Sequence, residues 1–452
     1  MKPGIAFGDY IRTEKISSKR HDEHFSKESS GMRGFLLPLL LLIVFVVFLI
    51  RLADLQLIQG SYYRLLADSN RTKTTTVYAP RGIIFDRNGT PLVFNIPGFR
   101  QTMGDQTKVL TREQALPLLA LGEKNLEIDS LRQYPYKESF SHVLGYIGQI
   151  SKEELQKKEF SSRRGGDLIG KMGIERAYEE RLAGRDGKEL TEVDAMGKAV
   201  RTLGKTDPTA GSDIMLTLDL KLQQATFEAI KDIKKGAVVV ATPRGEILAL
   251  ISKPSFDPNL FTMGEHYLVA SQSAYRDVSA LLLDDQNQPL LNRAISGTYP
   301  PGSTFKLITA SAGLEGKAID ENFQIEDTGV ISIGPFSFGN WYFIQYGKKE
   351  GLLNVVSAIK RSNDIFFYKL AEMMGVEKLS EMAKKFGVGD RLGIDLEGEA
   401  KGLVPTPDWK KEVIGEPWFL GDTYHYGIGQ GYLLATPLQV NSWTQVIANG
   451  GA

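Results

Sequence analysis

The sequence predicts an α+β protein in three parts: a single membrane-spanning helix, a mostly-β domain and a mixed α/β domain. Three observations lead there. Residues 34–50, GFLLPLLLLIVFVVFLI, carry no charge and are almost wholly apolar. From about residue 53 to 210 the chain reads as short β-type runs broken by turn signals such as Asn88-Gly89 and Pro97-Gly98. From about residue 211, strand-like and helix-like segments alternate, the pattern of a mixed domain.

Composition narrows the function classes. A chain of 452 residues is long enough for two or three folded units. Lys plus Arg and Asp plus Glu both number 54, so no global charge points to nucleic acid or to an acidic polymer. Cysteine is absent, which excludes disulfides, thiolate nucleophiles and cysteine metal sites.

The apolar run, extended by Leu52 and Ala53, meets the roughly 17 to 25 residues that span a bilayer core. A buried core helix is seldom apolar all round for so long, and a cleaved signal peptide rarely has so long a polar lead. RLADLQLIQGSYYRLL, which follows, offers no small-x-small cleavage site and continues as an amphipathic helix. Residues 34–53 therefore read as an uncleaved signal anchor. Lys15, Lys19, Arg20, Lys27 and Arg33 precede it within 20 residues, against Arg51 and Arg64 in the next 20. That bias leaves a polar tail, 1–33, in the cytoplasm and everything after about residue 53 outside.

The mostly-β domain, 54–210, includes a charged helical stretch, IERAYEERLAG at 174–184, and supplies no obvious nucleophile. The mixed domain opens with DIMLTL, 213–218, as a strand. DLKLQQATFEAIKDI then reads as a helix capped by Asp219. GAVVVATPRGEILALIS, 236–252, reads as two strands joined at Pro243-Arg244-Gly245. No internal repeat is present.

Chemistry enters at YPPGSTFKLITA, 299–310. Pro300 and Pro301 disfavour helix before them, Gly302 relaxes the turn, and the periodicity from Ser303 is helical until Gly316. Ser303 then lies at or near a helix N-terminus, where a developing alkoxide is favoured. Lys306 lies on the same face, within reach of the serine hydroxyl, and a sheltered lysine can act as a base. Ser-x-x-Lys is expected about twice by chance in a chain of this kind, and it does occur twice. The second copy, Ser357 to Lys360, sits inside LNVVSAIKRSNDIFFYKLAEMMG, which reads as one continuous helix with no start just before the serine. It is read as a solvated helix face. An ordinary capping serine with a surface lysine stays open for Ser303 on spacing alone.

The fuller segment NRAISGTYPPGSTFK, 292–306, resembles the active-site segment of penicillin-binding transpeptidases, whose signature is Ser-x-x-Lys, then Ser-x-Asn or a near relative, then Lys-Thr-Gly. Ser362-Asn363-Asp364 is similar to the second element, with Asp364 where many members carry Asn and where the penicillin-binding protein 2 group also shows Asp. PRGIIFDRNGTPL (80–92), HVLGYIGQI (142–150), GIERAYEERLAGRDG (173–187), GEILALISKPSFDPNLF (245–261) and GDTYHYGIGQGYLLATPLQ (421–439) look like recurring segments of that group, in its order. The chain thus resembles a class B penicillin-binding protein from about residue 34 onward.

The resemblance implies an elongated pedestal, or dimerisation-type, domain at 54–210 and a penicillin-binding, serine β-lactamase-like transpeptidase domain at 211–452. It implies that Ser303 attacks the carbonyl between the terminal D-alanines of a peptidoglycan stem peptide, with Lys306 taking the proton. Ser362 would relay that proton, Asp364 would position the lysine or the substrate amide, and Thr304 and Asn363 would contact substrate. β-Lactams would be trapped at the acylation step, and no cofactor is called for. A membrane-embedded glycan polymerase of the elongation machinery is the implied partner.

Two features depart from the family pattern. Between Arg100 and Tyr134 the chain is short where the family inserts a larger head subdomain. No Lys-Thr-Gly or Lys-Ser-Gly follows Ser362, and the nearest text, Lys205-Thr206-Asp207, precedes the nucleophile. The expectation is a sequence truncated before the third motif, which would carry one oxyanion donor. A D,D-carboxypeptidase or β-lactamase-type hydrolase, and an inactive scaffold or sensor, are the alternative functions.

Other constellations are weaker. His21, His24, His142, His266 and His425 show no metal-ligand spacing, so no metal site is expected. GIGQG, 427–431, lacks a following Gly-Lys-Ser/Thr and reads as a turn leading to a helix at Thr436-Pro437. Arg81 and Asp86 read as salt-bridge or turn residues. FSFGNWYFIQYG, 336–347, is aromatic enough to line a groove or to pack over the core.

Overall fold

A computed structural model describes residues 33–451 except 104, 105, 124, 195, 197, 265, 266 and 272. The reading of the N-terminal tail and of His21, His24 and His266 therefore lies outside the described residues. The chain divides into two compact units, one reaching Lys73 and including Thr191–Arg201, the other formed by Thr74–Leu190 and the chain from Thr202.

In the first unit, α1 (Arg33–Ala53) holds the apolar run. Leu37–Ile58 has a mean hydropathy of 2.6 and none of it is buried by protein, so its apolar side chains are not covered by a protein core. Among the described residues it is the one helix long and apolar enough to cross a membrane. The amphipathic continuation is interrupted: a π-helical turn, Asp54–Ile58, and Gln59 precede α2 (Gly60–Arg71). Glu192 receives both Arg71 (2.8 Å) and Arg201 (2.6 Å).

The second unit begins with a sheet built from β1 (Ile84–Phe85), β2 (Pro91–Met103), β3 (Gln106–Thr111), β4 (Leu126–Gln133) and β5 (Ile214–Met215). Asn88-Gly89 makes the expected turn, with Gly89 at φ +78° and Asp86 accepting from the Asn88 and Thr90 backbones at 2.9 and 2.7 Å. Pro97-Gly98 is not a turn. It lies inside β2, where pairing with β3 begins only at Gly98, so Pro97 has no ladder bond to lose on that edge. DIMLTL also departs from expectation: only Ile214–Met215 is strand, and it pairs in parallel with β1. Such a long-range partner leaves no mark in local periodicity.

The charged stretch at 174–184 forms two short helices, α3 (Gly173–Ala177) and α4 (Glu179–Leu182), of which Glu175 and Glu179 point inward while Glu180 is exposed. Glu175 is fully buried and meets Arg81 at 2.6 Å and Arg132 at 2.7 Å; Glu179 meets Arg81 and Arg163, each at 2.7 Å. Burial pushes the Glu175 carboxyl up, but the Arg132 and Arg81 charges outweigh it and hold the carboxyl below its ordinary range. Arg81 and Asp86 are thus structural, each with different partners. Glu175→Ala leaves two buried guanidinium groups short of a counter-charge. It is expected to destabilise the protein by about 3–5 kcal/mol, read as a lowered thermal midpoint.

One hydrophobic cluster joins this half to the next, bringing Ile84, Leu92, Leu144 and Leu182 together with Leu218, Leu250, Ala294 and Leu438. Side-chain amides reinforce the join. Asn259 both accepts from Tyr134 N (2.9 Å) and donates to Tyr134 O (2.8 Å), and Gln223 donates to Ser139 O at 2.7 Å. His142 is a core residue here: its Nε2 donates to Pro289 O at 2.8 Å, and burial pulls the imidazole down to about 4.

Beyond the join, α5 (Leu220–Ala229) is capped by Asp219, which accepts from Leu222 N at 3.0 Å. Antiparallel β6 (Gly236–Ala241) and β7 (Ile247–Lys253) form the expected hairpin. The helical core follows: α6 (Lys306–Glu315), α7 (Trp341–Tyr346), α8 (Val355–Arg361), α9 (Asp364–Lys385), α10 (Leu420–Gly427) and α11 (Pro437–Ala448). Thr436 and Gln439 form a reciprocal capping box at the start of α11, as the turn reading of 427–431 anticipates. Phe305, Ile308, Phe367, Leu370, Tyr426 and Trp443 pack into one cluster at the centre of these helices.

Candidate active site

The turn that carries Ser303 is built from backbone constraints. Gly302–Phe305 is a 3-10 turn and the α-helix starts at Lys306, so Ser303 sits one turn ahead of α6 rather than in it. Gly302 has φ +61° and donates to Gly429 O at 2.8 Å. Gly429, at φ +75°, approaches so closely that a Cβ there would lie 2.1 Å from Gly302 O. The GIGQG loop is therefore a clasp on the turn that carries Ser303. Phe305 anchors the other side, stacked on Tyr426 at 5.5 Å and edge-on to Trp443 at 6.2 Å.

Phe305 and Lys306 turn inward while Ser303 and Thr304 stay exposed. Lys306 is 2% exposed, and its Nζ donates to Asp364 Oδ1 (2.6 Å), Ser362 O (2.8 Å) and Ser362 Oγ (3.2 Å). Burial lowers the amine's pKa, and the Asp364 carboxylate pulls it partly back up. The structure thus joins Lys306, Ser362 and Asp364 directly. The Ser303 hydroxyl, expected to meet Lys306, makes no hydrogen bond among the described residues, because the lysine's protons are taken by the 362–364 segment. Thr304 bonds its own turn, Oγ1 to Pro301 O at 2.9 Å.

The continuous helix expected over 353–375 is broken. Ser362 adopts φ +52°, ψ 39° and ends α8, and Asn363 caps α9 by accepting from Phe366 N at 2.8 Å. A non-glycine residue in the left-handed region costs on the order of 1–3 kcal/mol and persists only where its surroundings fix it. Asn363 is fully buried, with its amide nitrogen donating to Glu350 Oε2 at 2.9 Å. Both ends of that side chain are engaged, so the structure gives it a capping role in place of the substrate contact the resemblance implies.

The second Ser-x-x-Lys also follows a helix start, contrary to expectation: Asn354 caps α8 and accepts from Ser357 N at 3.0 Å. A start alone does not distinguish the two serines. Lys360 faces solvent, whereas Lys306 is buried against a carboxylate.

The aromatic segment contributes to the site's back wall. After β8 (Ile325–Asp327) and β9 (Val330–Ile333), β10 (Phe336–Gly339) leads into α7, whose Trp341 N donates to Asp364 Oδ2 at 2.9 Å. Sequence reasoning missed Asp327, Asn340 and Glu350, which lie behind this wall and belong to no motif. A cavity of ≈ 2000 Å³ lined by Arg163, Arg164, Asp167, Arg185 and Glu397 does not include Ser303.

Residues 236–452 match the penicillin binding protein transpeptidase domain and residues 123–216 the penicillin-binding protein dimerisation domain. Peptidoglycan D,D-transpeptidase MrdA of Escherichia coli K12 is 36% identical over 458 residues, covering 90% of this chain and 70% of that protein. The chain belongs to the class B, penicillin-binding-protein-2-like family of peptidoglycan D,D-transpeptidases. MrdA of Acinetobacter baumannii is 35% identical, covering 91% of this chain and 66% of the relative. The chain therefore spans about two thirds of the length of these curated relatives. Among solved structures, Pseudomonas aeruginosa PBP2 in complex with WCK 5153 is similar at TM-score 0.64 and 34% identity, covering 84% of this chain and 71% of that one. Helicobacter pylori PBP2 in complex with MreC is similar at TM-score 0.71 and 29% identity, covering 84% and 77%. A chain from a structure described as a peptidoglycan synthase complex coordinating polymerization and crosslinking is similar at TM-score 0.67 and 31% identity, covering 93% and 78%.

Proposed function

We propose that the protein crosslinks peptidoglycan stem peptides through an acyl-enzyme on Ser303. The observation that carries this reading is the buried Lys306, paired with Asp364 and Ser362, one turn beyond the exposed Ser303. Ser303 Oγ attacks the carbonyl between the two terminal D-alanines and its proton passes to Lys306 Nζ. The C–N bond breaks, and D-alanine leaves with a proton delivered by way of Ser362. An amine from a second stem peptide then attacks the ester, gives up a proton and frees Ser303. One amide is exchanged for another, so the reaction balances without a cofactor. A β-lactam opens at the first step and remains on the serine.

The apolar α1 anchors the protein, with the basic flank before it held on the cytoplasmic side and the catalytic face outside. Elongation and shape maintenance are the processes served, alongside a membrane-embedded glycan polymerase. The PBP2–MreC and synthase-complex structures of relatives support that association.

Fluorescent penicillin is expected to label the full-length protein covalently, and Ser303→Ala to abolish the label. Labelling that survives in Ser303→Ala would assign the nucleophile elsewhere. Product analysis with an amine acceptor separates the crosslinking enzyme from a hydrolase: D-alanine release without crosslinked product would refute the transpeptidase reading.

A further inference from the structure

Behind the Ser362-Asn363-Asp364 junction lies a second polar layer. Asp327, at the end of β8, is 2% exposed. Its Oδ1 accepts from Gly329 N at 2.7 Å, and its Oδ2 accepts from Asn340 Nδ2 and from Glu350 N, each at 3.0 Å. Asn340 is fully buried, and its Oδ1 accepts from Asp364 N at 3.2 Å. Glu350 receives Asn363 Nδ2 on Oε2 at 2.9 Å and pairs with Arg361 through Oε1. One carboxylate oxygen of Asp327 therefore holds the two groups that grip Asn363 and Asp364.

We propose that Asp327 is a positioning residue for the active-site lysine, acting through Asn340 and Glu350 to fix the Ser362-Asn363-Asp364 junction against Lys306. The proposal rests on the reading of Lys306 as the base for Ser303. Ser362 is held in the left-handed region, a conformation that relaxes unless its neighbours over-determine it. Asp364 Oδ1, Ser362 O and Ser362 Oγ all meet one ammonium, so a shift of the junction moves all three of the lysine's contacts together. The layer is what prevents that shift.

A carboxylate is required at 327. The Gly329 and Glu350 backbone N–H groups point at different oxygens of Asp327, and neither can be turned around. An asparagine in either orientation would set its NH2 group against one of them. Asp327→Asn thus breaks the layer while preserving shape.

The test is the acylation rate of the full-length, detergent-solubilised protein by a fluorescent penicillin, measured across pH with the folded fraction followed by thermal unfolding. Asp327→Asn is expected to slow acylation of the folded protein by up to about 100-fold, the effect of a displacement near 1 Å. Among the described residues, Asp364 is the charged group facing Lys306, and Tyr368 of the same helix lies near that carboxylate. Separating Asp364 from Lys306 lowers the amine's pKa, so the rising limb of the pH profile moves to lower pH. A purely structural role would reduce the folded fraction and leave the limb in place. Glu350→Gln, which keeps Asp327, gives a smaller change in the same direction and serves if Asp327→Asn does not fold. Wild-type rate and limb in either folded variant would overturn the proposal. A wild type that does not label, or a Ser303→Ala variant that does, would instead overturn the functional reading, and this proposal with it.

Discussion

Lys306→Met is expected to slow acylation of Ser303 by about 10²–10⁴-fold, the usual contribution of a positioned base. Methionine fills a similar volume in the pocket against Phe367, so the loss reports chemistry more than packing. The substitution also leaves the Asp364 carboxylate without its cation, at about 3–5 kcal/mol of stability. The labelling rate must therefore be measured on protein shown to be folded. Labelling at the wild-type rate would remove Lys306 from the mechanism. The pH dependence carries a sign. Burial holds the Lys306 amine below its ordinary value of 10.5, so the neutral, basic form grows as pH rises through the lowered value. Acylation should rise across that range and level off below 10.5. Asp364→Asn takes away the charge that raises the amine, so the limb moves further down while the maximum falls with the lost contact.

Gly429→Ala is expected to damage the site from the opposite side, although residue 429 touches no reacting atom. The φ of +75° costs a non-glycine residue on the order of 1–3 kcal/mol. The larger effect is steric: the new Cβ would stand 2.1 Å from a backbone oxygen, which no rotamer change can relieve. The 2.8 Å bond from Gly302 N to Gly429 O must open, releasing the turn that carries Ser303. Acylation is expected to fall by about 100-fold, the scale of a displacement near 1 Å. Gly431→Ala provides the comparison. Its φ of +72° carries similar strain, but the nearest atom to a Cβ there is the His425 Cβ at 3.2 Å. Equal loss in both variants would attribute the effect to strain and exclude the clasp.

The turn at Ser303 was legible because its signal is local. Pro300, Pro301 and Gly302 act on neighbouring dihedrals, and an i, i+3 pair shares a face in any helix. A nearby helix start does not separate Ser303 from Ser357. Ser303 lies in the 3-10 turn that leads into α6 and Ser357 in the first turn of α8, and what separates them is that Lys306 is buried against Asp364 while Lys360 is not. The break at Ser362 was hidden by helical periodicity on both sides, since α8 and α9 each bury an apolar face. Only the resemblance marked those residues. Asn363, read as a substrate contact, proves to be a cap held by Glu350. Pro97-Gly98 misled in the other direction, because a proline on an open strand edge satisfies the same sequence rule as a turn.

The sequence by itself determined the apolar anchor, the turn before Ser303, the hairpin at 236–252, and the caps at Asp219 and Thr436. Each depends on transfer of side chains to an apolar phase or on torsions within a few residues. Tertiary structure decided which lysine is buried, which strand Ile214 joins, and how Gly429 closes on Gly302. It also decided that Asp327, Asn340 and Glu350 stand behind the junction. Those outcomes depend on groups far apart in sequence, whose desolvation and hydrogen bonding exist only once the chain has folded back on itself.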